Sequence, residues 1–138
     1  MNASQKDIGA YIKPALSIAP VSTDGSADVN GSGVDRVGYY SGVVICSTGA
    51  ASGSPSAQSV VFQLEESSDN STFTAVSGAT VTIIADDTLG ELDVDLSARK
   101  RYLRVVCTDA TALTGGTTPA NFVTASIVLG GADNLPAT

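Results

Sequence analysis

Histidine and tryptophan are missing from this chain altogether. Without histidine, the Ser-His-Asp and Cys-His nucleophile systems cannot be assembled, and the commonest metal ligand is gone. There are only two cysteines, Cys46 and Cys107, where an all-thiolate zinc site takes four. They form no CxxC pair, and each ends an apolar run, VVIC and LRVVC. They read as small buried hydrophobes. Whether they pair with each other stays open, because a bridge needs Cα atoms about 4.4–6.8 Å apart.

Cations are scarce too. Seven Lys and Arg stand against fourteen Asp and Glu, a net charge of −7, with a pI near 4.2. Nucleic-acid binding rests on Lys and Arg neutralising phosphates, so neither nucleic acid nor an anionic membrane is an expected partner. No apolar run approaches the roughly 20 residues of a membrane helix. The start, MNASQKDIGA, lacks the basic-then-apolar pattern of a secretory signal. The expectation is a soluble protein made in a cytoplasm. There is no P-loop, and Gly31-Ser32-Gly33 is too short for a dinucleotide fingerprint. No cofactor and no enzymatic activity are expected.

Carboxylates are plentiful but poorly arranged for catalysis. Neighbours on a strand face opposite ways, so Glu65-Glu66 cannot make a glycosidase dyad. Glu91, Asp93 and Asp95 do share a face. They read first as a solvated strand face, and second as oxygen ligands for calcium, with Asp86 and Asp87 joining across a turn. The Asn70-Ser71-Thr72 sequon reads as chance without a secretion signal.

What the chain does have is strand periodicity. Charged residues make up only 15%, against a usual figure of about 25%, and Ser, Thr, Ala and Gly take their place. Val60, Phe62 and Leu64 alternate with Val61, Gln63 and Glu65. Leu92, Val94 and Leu96 alternate with the acidic row. Leu103, Val105 and Cys107 on one strand, and Val123, Ala125, Ile127 and Leu129 on another, share the same inward parity. Phe73–Val76 and Thr80–Ile84 read as two short strands around Ser77-Gly78. Long Gly/Ser/Thr loops cover 22–33, 47–57 and 109–120. Helical spacing is weak: Ile8, Ile12 and Leu16 stand four apart, but Pro14 limits any helix there to one turn. The fold class is therefore all-β, a single-domain sandwich over 1–138 that is jelly-roll-like, with an N-terminal arm (1–20) and a C-terminal tail (130–138). Strand order is not readable from this pattern.

Four of the seven cations, Arg99, Lys100, Arg101 and Arg104, fall within six positions. They read either as a turn whose cations pair with neighbouring carboxylates or as a docking patch for an acidic protein surface. Tyr39 and Tyr40 offer contact area with a polar handle, although at least one of two strand neighbours must face the core.

Three stretches carry a resemblance. They are DIGAYIKPALSIAPV (7–21) with VDRVGYYSGVVI (34–45), FQLEESSDNSTFTAV (62–76) with RYLRVVCT (101–108), and SIVLGGADNLPA (126–137). In this order they resemble the small capsid cement (decoration) proteins of tailed bacteriophages, most of all those of short-tailed Bordetella phages. The resemblance implies a jelly-roll-like protein with no catalysis. It implies binding to the major capsid protein on the outer surface of an expanded capsid, as a homodimer over joints between capsomers, after assembly in the host cytoplasm. The expected contact residues are Lys6, Ile8, Tyr11, Ile12 and Lys13 of the arm, Tyr39, Tyr40, Arg99, Lys100, Arg101, Arg104, and Leu135 of the tail. The alternative is a head-fibre or tail-associated β module recognising a host-surface glycan. A sandwich hydrolase is a further rival, disfavoured by the missing histidine.

Overall fold

The computed structural model describes residues 7–137. A 3-10 helix at Ile8–Ala10 leads into β1 (Ile12–Thr23), β2 (Val29–Asn30), β3 (Val34–Asp35), β4 (Tyr39–Thr48), β5 (Ala57–Ser67), β6 (Thr74–Ile83), β7 (Leu89–Asp95), β8 (Tyr102–Cys107), β9 (Ala112–Thr114) and β10 (Asn121–Ala132). One sheet has the order β1-β10-β4-β7. The other has the order β2-β8-β5-β6, with β3 also on β8 and β9 on the start of β5. All the pairings are antiparallel. Counting β2/β3 and β8/β9 as one interrupted strand each leaves eight strands in two sheets, which is a jelly roll.

Side-chain parity drives this assembly. Val60, Phe62 and Leu64 of β5, Leu103, Val105 and Cys107 of β8, and Val123, Ala125, Ile127 and Leu129 of β10 are all buried between the sheets. Leu96 is buried, while Leu92 and Val94 pack against the core from the edge strand β7. Glu91, Asp93 and Asp95 are exposed, as the alternation predicts. Burying each large apolar side chain stabilises the fold by roughly 1.5–3 kcal/mol.

The two strands expected around Ser77-Gly78 are one strand, β6. Gln63 pairs with Thr80 and Glu65 with Ala75, so Leu64 alone stands opposite the bulge of residues 76–79. Gly78 takes φ 74° there. The Gln63 side chain fills the gap. Its Nε2 donates to the carbonyls of Val76 (2.9 Å), Ala79 (3.1 Å) and Leu64 (2.7 Å), and its Oε1 accepts from the Thr80 hydroxyl (2.8 Å). A side-chain amide thus satisfies backbone groups that the bulge would leave unpaired.

The N-terminal segment also differs from the expected arm. One short helical turn is present, but residues from Ile12 onward form β1, an edge strand in register with β10 from Ile12↔Gly130 to Thr23↔Asn121. Pro14 and Pro20 are compatible with this because proline is tolerated on an edge strand. Ser17 and Ile18 are buried. The Ser17 hydroxyl reaches the other sheet, accepting from the Val105 N–H (2.9 Å) and donating to the Ser32 carbonyl (3.1 Å). It fills the gap along β8 between β2 and β3. Residues 130–132, assigned to the tail by sequence, extend β10. The rest is tied down by Asp133 N–H donating to Gly38 O (2.8 Å) and Ala137 N–H to Ala10 O (2.9 Å).

Cys46 and Cys107 are free and buried. Burial, with Cys107 nearby, pushes the Cys46 thiol up to about 12, and burial also raises Cys107. Neither is a thiolate near neutral pH, so neither is a nucleophile there.

The SSDNS turn after β5 is organised by Asp69. Its Oδ1 accepts from the N–H groups of Thr72 (2.8 Å) and Ser71 (2.9 Å) and from the Ser67 hydroxyl (2.7 Å). These bonds, that of Thr72 foremost, favour the charged form and hold the carboxyl at about 2, below its ordinary 3.8. The folded value lies below the unfolded one. The stabilisation is therefore present above pH 3.8 and is lost as pH falls towards 2. Urea unfolding of Asp69→Asn should accordingly show a smaller loss of stability across that window than the native chain. Equal losses in the two proteins would remove Asp69 from the acid response.

Candidate protein-contact surface

One end of the sandwich gathers the 3-10 turn, the connection from β3 to β4, the turn from β7 to β8, and residues 133–137. Arg36 locks it. The Arg36 N–H donates to Arg101 O (2.9 Å), its Nε to Lys100 O (3.0 Å), and its guanidinium also to the carbonyls of Arg99 and Tyr39. Leu96 N–H donates to Tyr40 O (3.0 Å), and the Tyr40 hydroxyl to Asp133 Oδ2 (3.3 Å). On this frame stand four exposed apolar side chains: Ile8 at 69%, Val37 at 61%, Leu135 at 54% and Tyr40 at 48% exposure.

Of the expected contact residues, Ile8, Tyr40 and Leu135 are brought together here, with Tyr11 and Ile12 half-buried beside them and Lys13 exposed on β1. Tyr39 is buried in the core, as strand parity demands for one of the tyrosine pair. Lys6 lies outside the described residues. Val37 was not among the expected contact residues, because it opens the β-branched and aromatic run VGYYSGVVIC and reads there as strand, whereas the structure places it in the turn before β4.

The basic cluster is largely engaged within the chain. Arg104 meets Glu65 Oε2 through Nε and a terminal nitrogen, both at 2.8 Å, and its guanidinium lies 4.3 Å from the Phe73 ring centroid. Arg101 grips Asp35 at 2.7 Å, and that contact, foremost, lowers the Asp35 carboxyl. Arg99 stands 3.6 Å from Glu66, which also accepts the Lys100 N–H at 3.0 Å. The partners come from β3 and β5 because the chain changes sheet between β7 and β8, so β8 lies beside those strands. Arg101–Asp35 is exposed, a kind of pair that contributes only about 0–1 kcal/mol, while Arg99–Glu66 and Arg104–Glu65 are half-buried. All three pairs occupy cations that could otherwise reach a partner.

Among the described residues, no three His, Cys, Asp or Glu side chains gather closely enough to hold a metal ion. At the opposite end, a cleft of about 390 Å³ is lined by Ala51, residues 54–58, Ile84 and Asp86. Gln58 Nε2 donates to Asp86 Oδ1 (2.6 Å), and the buried Asn121 donates to Gln58 Oε1. Asn121 Oδ1 has no partner. The signal for Asn121 was its place at the inward parity of β10, where a polar residue demands a hydrogen bond.

No helix among the described residues is long and apolar enough to cross a membrane. No family model matches this chain, and no curated protein matches it. Among solved structures, the chain is similar to the crystal structure of the SPBc2 prophage-derived protein YomS. Identity is 12%, coverage is 86% of this chain and 91% of that one, and the TM-score is 0.45. The likeness is too distant to bear on function.

Proposed function

We propose that this chain is a structural virion protein of a tailed bacteriophage, a cement protein that seats on the outer surface of the major capsid protein shell. It joins capsomers there as a homodimer and carries out no catalysis. One observation carries the reading: Ile8, Val37, Tyr40 and Leu135 are each exposed at one end of the sandwich, on segments fastened by backbone hydrogen bonds. Apolar side chains on a pre-ordered backbone lose less entropy when they dock on protein. The three-part sequence resemblance supports the phage assignment. The net charge of −7 suits a position outside the shell, away from packaged DNA.

The test is co-sedimentation with expanded shells that lack this protein. Saturable binding is expected at a stoichiometry set by the capsid symmetry, and decorated shells should resist disruption better than bare ones. Ile8→Ser combined with Leu135→Ser should weaken binding by about tenfold or more while leaving the unfolding midpoint unchanged. Failure of the native chain to bind sound, expanded shells would overturn the reading.

A further inference from the structure

The outer face of the β1-β10-β4-β7 sheet is unusual in its charge. An antiparallel sheet with one solvated face ordinarily alternates apolar inward with polar outward. Here β1, β4 and β10 carry a single charged side chain between them, Lys13, and it stands in register with the inward-facing Leu129. The outward positions hold Leu16, Ser126 and Ile45 in one cross-strand row, and Pro14, Val128 and Val43 in the next. Phe122 lies further along β10. Leu16 is 55% and Phe122 56% exposed, and Val43, Ile45 and Val128 are half-buried. The surface is thus uncharged across three strands, with an apolar patch of Pro14, Leu16, Val43, Ile45 and Val128 bordered by the hydroxyls of Ser41, Ser47 and Thr124, and charge depletion of this kind marks an interface centre.

The fourth strand adds the charge. Val43 pairs with Asp93, Ile45 with Glu91 and Ser41 with Asp95, so the apolar field ends in a column of three carboxylates roughly 7 Å apart. Glu91 and Asp93 have no ion-pair partner among the described residues, and Asp95 feels the Arg99 charge without pairing with it. The arginine ion pairs of the chain go to Asp35, Glu65 and Glu66. A column of like charges beside an apolar field calls for cations from outside the molecule. A second copy is a poor occupant, since it brings another acidic column and arginines already engaged.

We infer that this face is laid against the shell along with the exposed end at Tyr40, which adjoins it, and that it takes a protein surface presenting an apolar ridge beside a row of lysine or arginine side chains. The inference rests on the shell-binding reading above and adds the docking face and the chemistry of the partner.

Shell co-sedimentation separates the two ideas. Leu16→Ser should weaken binding by about tenfold or more at every ionic strength. Glu91→Lys with Asp93→Lys should weaken it at least as much in low salt, with the penalty shrinking as salt rises. Asp95 is left in place because it accepts from the Ser97 N–H and hydroxyl in the next turn. Unchanged urea midpoints show that the variants fold. Native chain bound and both variants bound as tightly would overturn the face while leaving the cement role standing. Native chain unbound would overturn both. A dimer of the native chain, in sedimentation velocity, that Leu16→Ser converts to monomer would assign the face to self-association and overturn the inference.

Discussion

Phe62→Ala should lower the unfolding free energy by about 3–5 kcal/mol. Phe62 sits in the middle of β5, 1% exposed, with Val81 of β6 and Cys107 of β8 as its cross-strand neighbours. Truncation removes the transfer free energy of the ring and leaves a hole. The strands on either side are held by ladder hydrogen bonds and cannot collapse into it. A domain of this size has about 5–15 kcal/mol to lose, so the variant should be marginal at physiological temperature. Phe62→Leu keeps most of the volume and should cost less. Urea unfolding of the three proteins measures the difference. A loss below about 1 kcal/mol for the alanine variant would mean that Phe62 does not occupy the packed centre of the sandwich.

The second effect is polar. Ser17→Ala should cost about 1–3 kcal/mol, the penalty for leaving a buried N–H without a partner. Val105 N–H has its bond from the Ser17 hydroxyl at 2.9 Å, while Val105 O takes the Gly31 N–H at 2.9 Å. A side chain at Gly31 would run into Ser17 and the Val105 carbonyl, so no larger residue there could take over the role of Ser17. Amide exchange gives the specific readout. In Ser17→Ala, the Val105 amide should lose more protection than the global change in stability accounts for. Equal losses at Val105 and across the core would reduce Ser17 to an ordinary packing residue.

The sequence was informative about faces and much less so about neighbours. Period-two alternation placed Val60, Phe62 and Leu64, the β8 trio and the β10 quartet correctly, because parity is a local property of an extended chain. The partner of each strand is not local. That is why the arginine cluster could be seen but not its pairing with Asp35 and Glu65, and why β1 read as an arm. Residues 12–23 alternate poorly, broken by irregular register between Leu16 and Ile18 and between Ile18 and Val21, and they become a strand only because β10 offers an edge. Gln63 and Ser17 were invisible for the same reason: each looks like an ordinary surface residue until the bulge or gap that it fills exists. For the contact surface, Ile8, Tyr40 and Leu135 were found as separate candidates. Their convergence at one end required the fold.

The strand order β1-β10-β4-β7 also sets a schedule. The last described strand is inserted between the first and the fourth, so during synthesis β1, and the edge of β4 away from β7, stay open until β10 has left the ribosome. The other sheet can form earlier, since β5 and β6 are consecutive and β8 follows soon after. Long-range pairing of this kind folds slowly, and the waiting apolar edges are where the nascent chain is most exposed to aggregation.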